Sequence, residues 1–335
     1  MAPFPTDLTR RDALAVLGSA AVGLAARNFP SFPQQASGDR LDNLLPAFSE
    51  KSRAILRRLL ADPNYSGQIP VASAFALSQH ENFGPEKLLL ALLPLAQSYS
   101  QAPISNFHVG VIVRGASGAL YTGANIEIPG QCLGFSVHAE QAALANAYMH
   151  SESAVIAVGV GGAPCGHCRQ FIEEMSPDGD ILIVTPQNGT RKLSSILPEP
   201  FSPKDLGMTK GAFPVPEANL SLVKDSPDAL AHAALDAARK AYAPYSKSPS
   251  GVAIRGASGR IYRGSYIENV AFNPSLSPLQ VALAGLIAAG EPYSAIQAVT
   301  LVEVDGAKIS QKAATEAVLG AVAPKVKMQI FPARA

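Results

Sequence analysis

The spacing of apolar residues predicts helices near the start of this chain. Between residues 55 and 60, apolar side chains recur at helical spacing beside arginines, which is typical of an amphipathic helix: Ile55, Leu56, Leu59 and Leu60. A run of leucines predicts another helix from about Pro85 to Leu93. Both helices are expected to cover a sheet.

Short apolar runs further along predict strands. Residues 109–113 and 120–125 flank a glycine-containing turn and predict a β-hairpin. The helices and strands expected after it alternate: a helix opening at His138, a strand at residues 155–160, a helix at 165–175 and a strand at 181–184. This order predicts an α/β fold in which helices cover a mixed sheet.

An internal repeat divides the chain. Gly-Val-Ile-Val-Arg-Gly-Ala-Ser-Gly at residues 110–118 recurs as Gly-Val-Ala-Ile-Arg-Gly-Ala-Ser-Gly at residues 251–259. Four later residues recur at the same offset: Tyr121, Gly123, Ile126 and Glu127 return as Tyr262, Gly264, Ile267 and Glu268. The sequence therefore predicts two copies of one fold.

Five segments follow from this repeat. They are a leader at residues 1–40, a helical extension at 41–83, a first copy at 84–204, a linker at 205–224 and a second copy at 225–335. The linker assignment depends on the abundance of Pro and Gly in residues 198–216. Ser226-Pro227-Asp228 is typical of a capped helix start leading the second copy.

Composition indicates an ordered protein that acts on a small ligand. Of the 335 residues, 47% are hydrophobic and 16% charged, which is enough to bury a large core. Lys plus Arg is 27 against 26 Asp plus Glu, with no long basic run, so we expect no nucleic-acid partner. Three cysteines exclude a disulfide framework, and Cys132 is expected to be an inert packed thiol.

The leader resembles an export signal. Arg10 and Arg11 precede an apolar run over residues 13–26 that ends in small residues, as in a twin-arginine signal. The run is too short to span a membrane, so no membrane partner is expected. Export to the periplasm and a cytoplasmic location both stay open.

One cluster carries the chemistry. His138-Ala139-Glu140 is followed by Pro164-Cys165-Gly166-His167-Cys168, which places an imidazole and two thiolates where they could bind one zinc ion. The fourth tetrahedral position would stay open to water, because His167 lies awkwardly inside the Cys pair. Glu140 is not expected on the metal and could act as a base. A redox Cys pair is the weaker alternative, since it needs neither His138 nor Glu140.

The second copy lacks this cluster. Around the position of His138 it has Pro278-Leu279-Gln280, and no Cys or His follows His232. We therefore expect one zinc ion per chain. We expect the second copy to have a structural role, in which it packs against the first copy or forms a dimer interface.

The joint pattern resembles a known family. His-x-Glu followed by Pro-Cys-x-x-Cys is the signature of zinc-dependent deaminases. With the repeat and the segment at residues 241–251, the chain over residues 41–335 resembles cytidine deaminases of the two-domain, homodimeric bacterial type. The resemblance implies two copies of a three-layer α/β/α fold with a mixed β-sheet.

The same resemblance implies roles for particular residues. His138, Cys165 and Cys168 would bind zinc, and Glu140 would shuttle protons. Asn125-Ile126-Glu127 matches the segment that binds the ribose hydroxyls, and Phe107 matches the aromatic residue that packs on the pyrimidine. Phe272 matches an aromatic residue that enters the site of the partner subunit in a homodimer. The implied reaction converts cytidine and 2′-deoxycytidine to uridine and 2′-deoxyuridine with release of ammonia, as in cytoplasmic pyrimidine salvage.

Two alternatives stay open. The same chemistry could act on another base, a nucleotide or a polynucleotide, although the near-zero net charge disfavours a polynucleotide. A non-catalytic, zinc-stabilised scaffold is the other alternative. A free carboxylate at Glu140 beside an open metal position argues against a purely structural site.

Overall fold

Short helices lead into the first sheet. The computed structural model describes residues 44–176, 180–209 and 211–334. Its first helices are α1 (Glu50–Leu60), α2 (Val71–Glu81), α3 (Pro85–Ala91) and α4 (Leu93–Gln97). Ser49 caps α1 by accepting the backbone N–H of Ser52, and Leu56 on its apolar face is fully buried. The predicted twin-arginine leader lies outside the described residues.

The helix predicted from Pro85 is present but interrupted. Leu92 ends α3, and α4 begins directly after it with Pro94 in its first turn. Proline is tolerated there because the first N–H groups of a helix have no partner within the helix. Helix α2 was not predicted by the apolar spacing.

The first sheet has six strands. They are β1 (Gln68–Ile69), β2 (Gly110–Gly115), β3 (Leu120–Ala124), β4 (Val155–Val160), β5 (Leu182–Thr185) and β6 (Gly189–Lys192), in the order β1-β3-β2-β4-β5-β6. The predicted hairpin is β2 and β3, in which Gly110 pairs with Ala124. Strands β4 and β5 are parallel while the other neighbours are antiparallel, so the sheet is mixed, as expected.

The second sheet repeats this arrangement. It contains β7 (Ser221–Leu222), β8 (Ser250–Arg255), β9 (Ile261–Ser265), β10 (Ala298–Val304) and β11 (Met328–Arg334), in the order β7-β11-β10-β8-β9. Hairpin β8–β9 corresponds to β2–β3, and the parallel pair β10–β11 corresponds to β4–β5. The predicted duplication is therefore present in the backbone.

Helices cover both faces of each sheet. They are α5 (Ala139–Met149) and α6 (Gly166–Met175) in the first copy, and α7 (Ala229–Arg239), α8 (Pro278–Ala288) and α9 (Lys312–Val322) in the second. Val111 and Val113 on β2 belong to the core that contains α5 and α6, whereas Ile112 belongs to the core that contains α3 and α4. Alternating residues of one strand thus face two helix layers, which confirms the three-layer α/β/α fold.

One hydrophobic core joins the two copies. Buried side chains of α5 and α6 and of α8 and α9 form a single cluster, including Leu144, Phe171, Leu283 and Val318. Two glutamines reinforce this contact reciprocally: Gln141 donates to the Pro274 carbonyl at 2.8 Å, and Gln280 donates to the Phe135 carbonyl at 3.1 Å. The two copies therefore stabilise each other through one shared core and a reciprocal pair of hydrogen bonds.

A buried carboxylate ties α6 to the second copy. Glu174 is fully buried and accepts the hydroxyls of Tyr242 at 2.7 Å and Tyr245 at 2.5 Å, and the backbone N–H of Val270 at 2.8 Å. Burial raises the pKa of Glu174, and these three hydrogen bonds oppose that effect. The helix that carries two predicted zinc ligands is thus fastened by donors of the other copy.

The structure changes two expectations. Part of the predicted linker is packed in the core, because Ala212 is fully buried, donates its N–H to the Glu174 carbonyl, and precedes Phe213, whose ring contacts Tyr148. The counterpart of His138 is also shifted: Ser277 is the N-cap of α8 as His138 is of α5, so Leu279, not Gln280, stands in the place of Glu140.

No helix in the described part of the chain is both long and apolar enough to cross a membrane.

Candidate metal centre and active-site cleft

Two helix starts bring the predicted metal ligands together. His138 is the N-cap of α5, Cys165 is the N-cap of α6, and Cys168 lies one turn into α6. The Cys165 sulfur accepts the backbone N–H of Cys168 at 3.5 Å. Because unpaired N–H groups and the helix dipole favour negative charge at a helix N-terminus, this position suits a thiolate.

The spacing of the three ligand atoms fits a tetrahedral zinc ion. His138 Nδ1 lies 3.2 Å from Cys168 Sγ and 3.6 Å from Cys165 Sγ, and the two sulfurs are 3.5 Å apart. Zinc bonds of about 2.3 Å to sulfur and about 2.0 Å to nitrogen place tetrahedral ligand atoms about 3.5–3.8 Å apart. Among the described residues, this is the one group of three potential ligands close enough to share an ion.

The surroundings of Cys168 also fit a cation. Burial raises the pKa of this thiol, and the Glu140 carboxylate and the Cys165 sulfur raise it further. A divalent cation between these groups would offset their mutual repulsion and favour the thiolate. The donor set of one imidazole and two sulfurs is one that zinc accepts.

Glu140 lies beside the metal centre without belonging to it. It is the second residue of α5, is 6% exposed, and lines a cleft of about 630 Å³ together with His138 and Cys165. A carboxylate held at low exposure next to an open coordination position can exchange protons with a molecule in the cleft. Glu140 thus lines the cleft beside the candidate ligands, and its role as a general base stays a prediction at this point.

The two remaining candidates for a fourth ligand are placed elsewhere. His167 stacks beside His138 with ring centroids 5.2 Å apart and is not part of the ligand group. Cys132 is also outside the ligand group, and it is exposed, so the expectation of a packed thiol is wrong. It begins the short turn Leu133–Phe135 on the loop that approaches His138.

Asn125 lines the cleft but is held by its own chain. Its Oδ1 accepts the backbone N–H of Val109 at 2.9 Å and the hydroxyl of Ser100 at 2.6 Å, and its Nδ2 donates to the Phe107 carbonyl at 2.9 Å. The second hydrogen on Nδ2 is the one group that the amide can still offer to a ligand.

Glu127 lines the same part of the cleft. It accepts the backbone N–H groups of Ile104 at 2.7 Å and Ser105 at 3.0 Å, and the Ser105 hydroxyl at 2.5 Å. Burial alone would raise the pKa of Glu127, but these hydrogen bonds and the nearby His108 outweigh it and hold the pKa below its usual value. The carboxylate is therefore ionised at neutral pH, with its orientation fixed.

The three remaining predicted substrate residues lie in different environments. Phe107 lines the cleft and is 70% exposed, so its ring is open to a ligand. Ile126 is fully buried and forms backbone bonds with Val137, next to His138. Phe272 is 68% exposed and does not line the cleft of its own chain.

The second copy has none of the ligands at the equivalent helix starts. Ser277 caps α8 where His138 caps α5, and Gln311 caps α9 where Cys165 caps α6. Three residues beyond Gln311 stands Ala314 in the place of Cys168. The expectation of one metal site per chain agrees with this arrangement.

Comparisons with known proteins place the chain in a family. The family model for the cytidine and deoxycytidylate deaminase zinc-binding region matches residues 85–184, and a second model of the same description matches residues 193–316. A cytidine deaminase of Vibrio vulnificus is 40% identical over 287 residues, which cover 86% of this chain and 97% of that protein. The chain belongs to the cytidine deaminase family.

A further relative and a solved structure are also similar to this chain, the second over a shorter part of it. That of Aliivibrio fischeri is 39% identical over 290 residues, covering 87% of this chain and 97% of the relative. The crystal structure of cytidine deaminase from Mycobacterium leprae matches 33% of this chain and 95% of its own, with 31% identity and a TM-score of 0.31. The zinc-binding family models and the cluster of His138, Cys165 and Cys168 together support zinc as the cofactor of this chain.

Several residues of the cleft were not predicted from the sequence. Ser105 orients Glu127, Ser100 orients Asn125, and His108 lines the cleft directly after Phe107. A serine in a loop gives no chemical signal on its own. The position of His108 next to a predicted substrate residue was the one available hint.

A glycine controls how closely α5 approaches the hairpin. A Cβ on Gly123 would collide with the backbone of Ala139 and Ala143 in the first turns of α5. In the second copy, a Cβ on Gly264 would collide in the same way with Pro278 and Ala282 of α8. The two glycines form a matched pair, and the first of them sets the position of a helix that begins at a zinc ligand.

We expect Gly123→Ala to lower zinc affinity by about 10- to 100-fold, because the displaced start of α5 carries His138 away from the two sulfurs. Both variants should lower the free energy of unfolding by similar amounts, because each added Cβ collides with a helix backbone. Gly264→Ala, however, should leave zinc affinity unchanged. Competition with a chromophoric chelator measures the affinity, and denaturant unfolding measures the stability. Equal zinc affinity in the two variants would contradict this account.

Proposed function

We propose that this protein hydrolyses cytidine and 2′-deoxycytidine to uridine and 2′-deoxyuridine with release of ammonia. The observation that carries the proposal is the placement of Glu140, a buried carboxylate in the cleft beside three ligand atoms at tetrahedral zinc spacing. A structural zinc site has no use for such a group. The family relationship supports cytidine as the base that is attacked.

The chain supplies proton transfer and orientation. A bound zinc ion would act as a Lewis acid that lowers the pKa of a water molecule toward 7. Glu140 takes a proton from the attacking water and delivers it to N3 of the base while the new C–O bond forms at C4. It then takes the remaining proton from the new C4 hydroxyl and delivers it to the amino group, and as the C4=O double bond forms the C4–N bond breaks and ammonia leaves. One carboxylate thus serves first as base and then as acid.

The other end of the cleft suits a sugar without phosphate. Asn125 can offer its remaining amide hydrogen to a sugar oxygen, and Phe107 can stack on the pyrimidine. Glu127 carries a negative charge that would repel a nearby phosphate. We therefore infer a free nucleoside as substrate. Ile126 contributes through its backbone, which positions the segment before His138.

We further infer a homodimer in which Phe272 closes the cleft of the partner subunit. Phe272 has a φ of 63°, a left-handed conformation that is strained for a bulky residue, and its ring is exposed. Its loop is held by Asn269, which donates to the Gln170 carbonyl at 3.0 Å and accepts from Ala271. Such a fixed, outward-pointing aromatic ring supports insertion into another subunit.

We infer a cytoplasmic location from this reaction, because free nucleosides are salvaged there. The periplasm is the alternative if the segment with Arg10 and Arg11 is a signal. The size and compartment of the protein in fractionated cells decide between them: a full-length cytoplasmic product excludes export.

Ammonia release should be fast from cytidine and 2′-deoxycytidine and at least about 100-fold slower from cytidine 5′-monophosphate and a cytosine-containing oligonucleotide, since Glu127 repels phosphate. A coupled ammonia assay with equal concentrations of the four compounds measures this. Preference for the nucleotide or the oligonucleotide would favour the alternative substrates.

Glu140→Gln is the matched control for that assay. The variant should keep its zinc, because Glu140 is not a ligand, and lose about 10²- to 10⁴-fold in kcat, because proton transfer is removed. Metal analysis and uridine formation are measured on the same sample. Retained turnover in this variant would show that Glu140 is not the proton carrier. A wild-type protein that binds zinc but has no turnover would support the alternative of a non-catalytic, zinc-stabilised scaffold.

Mixed dimers test the role of Phe272. Glu140→Gln and Phe272→Ala should each be weakly active alone. Dimers formed by co-expressing both chains should regain about a quarter of wild-type activity, because half are mixed and each mixed dimer has one complete site. Sedimentation confirms the dimer. An absence of recovery in mixed dimers would contradict insertion of Phe272 into the partner subunit.

A further inference from the structure

His108 is a further polar group at the sugar end of the cleft, beside Asn125 and Glu127. It follows Phe107, is exposed, and lines the same cleft as Asn125 and Glu127. Its Nδ1 lies 3.0 Å from the hydroxyl oxygen of Ser100. The mechanism above gives this imidazole no role.

The hydrogen bonds around Ser100 fix which atom donates. The backbone N–H of Val109 can only donate, and the Phe107 carbonyl can only accept, so Asn125 must present Oδ1 to the first and Nδ2 to the second. The Ser100 hydroxyl, 2.6 Å from that same Oδ1, must therefore donate its single hydrogen to Asn125. Ser100 Oγ is left with lone pairs alone.

This order determines the tautomer of His108. Because Ser100 has no hydrogen left to give, His108 Nδ1 must carry a proton and donate it to Ser100 Oγ. A neutral imidazole has one protonated nitrogen, so Nε2 keeps a bare lone pair. The backbone at this residue is held as well, since Gln97 donates to the His108 carbonyl at 2.8 Å.

Few other groups at this end of the cleft can accept a hydrogen bond from a sugar. Glu127 already accepts three hydrogen bonds from Ile104 and Ser105, which leaves about one of the four acceptor sites of its carboxylate for a sugar, and Asn125 Oδ1 already accepts two. A hydroxyl that enters here needs an acceptor for its hydrogen. The bare Nε2 of His108 meets that need.

We propose that His108 accepts, through Nε2, a hydrogen bond from the 3′- or the 5′-hydroxyl of the nucleoside, and so helps determine specificity for a free sugar. The proposal rests on the proposed function. The 2′-hydroxyl is not the partner, because 2′-deoxycytidine is a proposed substrate. Conversion of the 5′-hydroxyl to a phosphate ester would remove that group as a donor.

Deoxynucleoside substrates test the proposal. In the wild type, kcat/KM should fall by about 2- to 10-fold when the partner hydroxyl is absent, as seen by comparing cytidine with 3′-deoxycytidine and 5′-deoxycytidine. In His108→Ala, cytidine should lose the same factor and the deoxy compound should lose nothing further. His108→Gln, which keeps an acceptor oxygen, should recover part of the discrimination.

The controls separate this proposal from the proposed function. His232→Ala removes an exposed histidine of the second copy and should leave all three kcat/KM values unchanged. If His108→Ala discriminates among the three substrates as the wild type does, the role of His108 is wrong while the deaminase assignment stands. A wild type that does not deaminate cytidine would overturn the proposed function itself.

The tautomer can be measured directly. In histidine-labelled protein, ¹H–¹⁵N spectra of the free enzyme above pH 8 should show His108 with a protonated Nδ1 and an unprotonated Nε2. Ser100→Ala should relax this preference and weaken the discrimination, because the acceptor for Nδ1–H is lost. A neutral His108 protonated at Nε2 in the wild type would overturn the proposal.

Discussion

The close approach of two helix starts to each other is the constraint on which this structure depends. His138 begins α5 and Cys165 begins α6, so both ligands are placed by helix position and neither depends on the conformation of a long loop. Gly123 lets the first turns of α5 lie against the hairpin. The result is three donor atoms close enough to share one ion, with the Glu140 carboxylate two residues after His138. The cleft, the base and the substrate contacts are all positioned relative to that centre.

The second copy shows how such a fold can keep its packing after losing its chemistry. Gln280 accepts the backbone N–H of Ser277 and donates to Phe135, while Gln141 accepts that of His138 and donates to Pro274. The backbone N–H of His138 is therefore bound by a glutamine of its own helix, and that glutamine in turn donates to a carbonyl of the other copy. With the buried hydrogen bonds of Glu174, these contacts show how a copy without ligands supports the two helices that carry the candidate ligands.

The sequence predicted the ligands and the base because their signal is local and their spacing is set by helix geometry. The sequence-based predictions were wrong or incomplete where contacts between distant parts of the chain determine the structure. Helix α2 was missed because Val71 and Phe75 are exposed and blur its apolar periodicity. The constant spacing of the repeat ends before α8, because ten residues separate Glu127 from His138 and eight separate Glu268 from Ser277. The counterpart of Glu140 therefore could not be located by the repeat alone. The hydrogen bonds that orient Asn125 and Glu127 come from Ser100 and from residues 104–109, whose conformation no sequence motif indicates.

The central claim is that one zinc ion is bound by three protein ligands and has one open position. X-ray absorption at the zinc edge on purified protein tests it most directly. The account predicts one zinc per chain with two sulfur neighbours at about 2.3 Å and two nitrogen or oxygen neighbours at about 2.0–2.1 Å, with one of the latter exchangeable on addition of a ligand. A coordination shell with a third sulfur, or one that no added ligand changes, would contradict it.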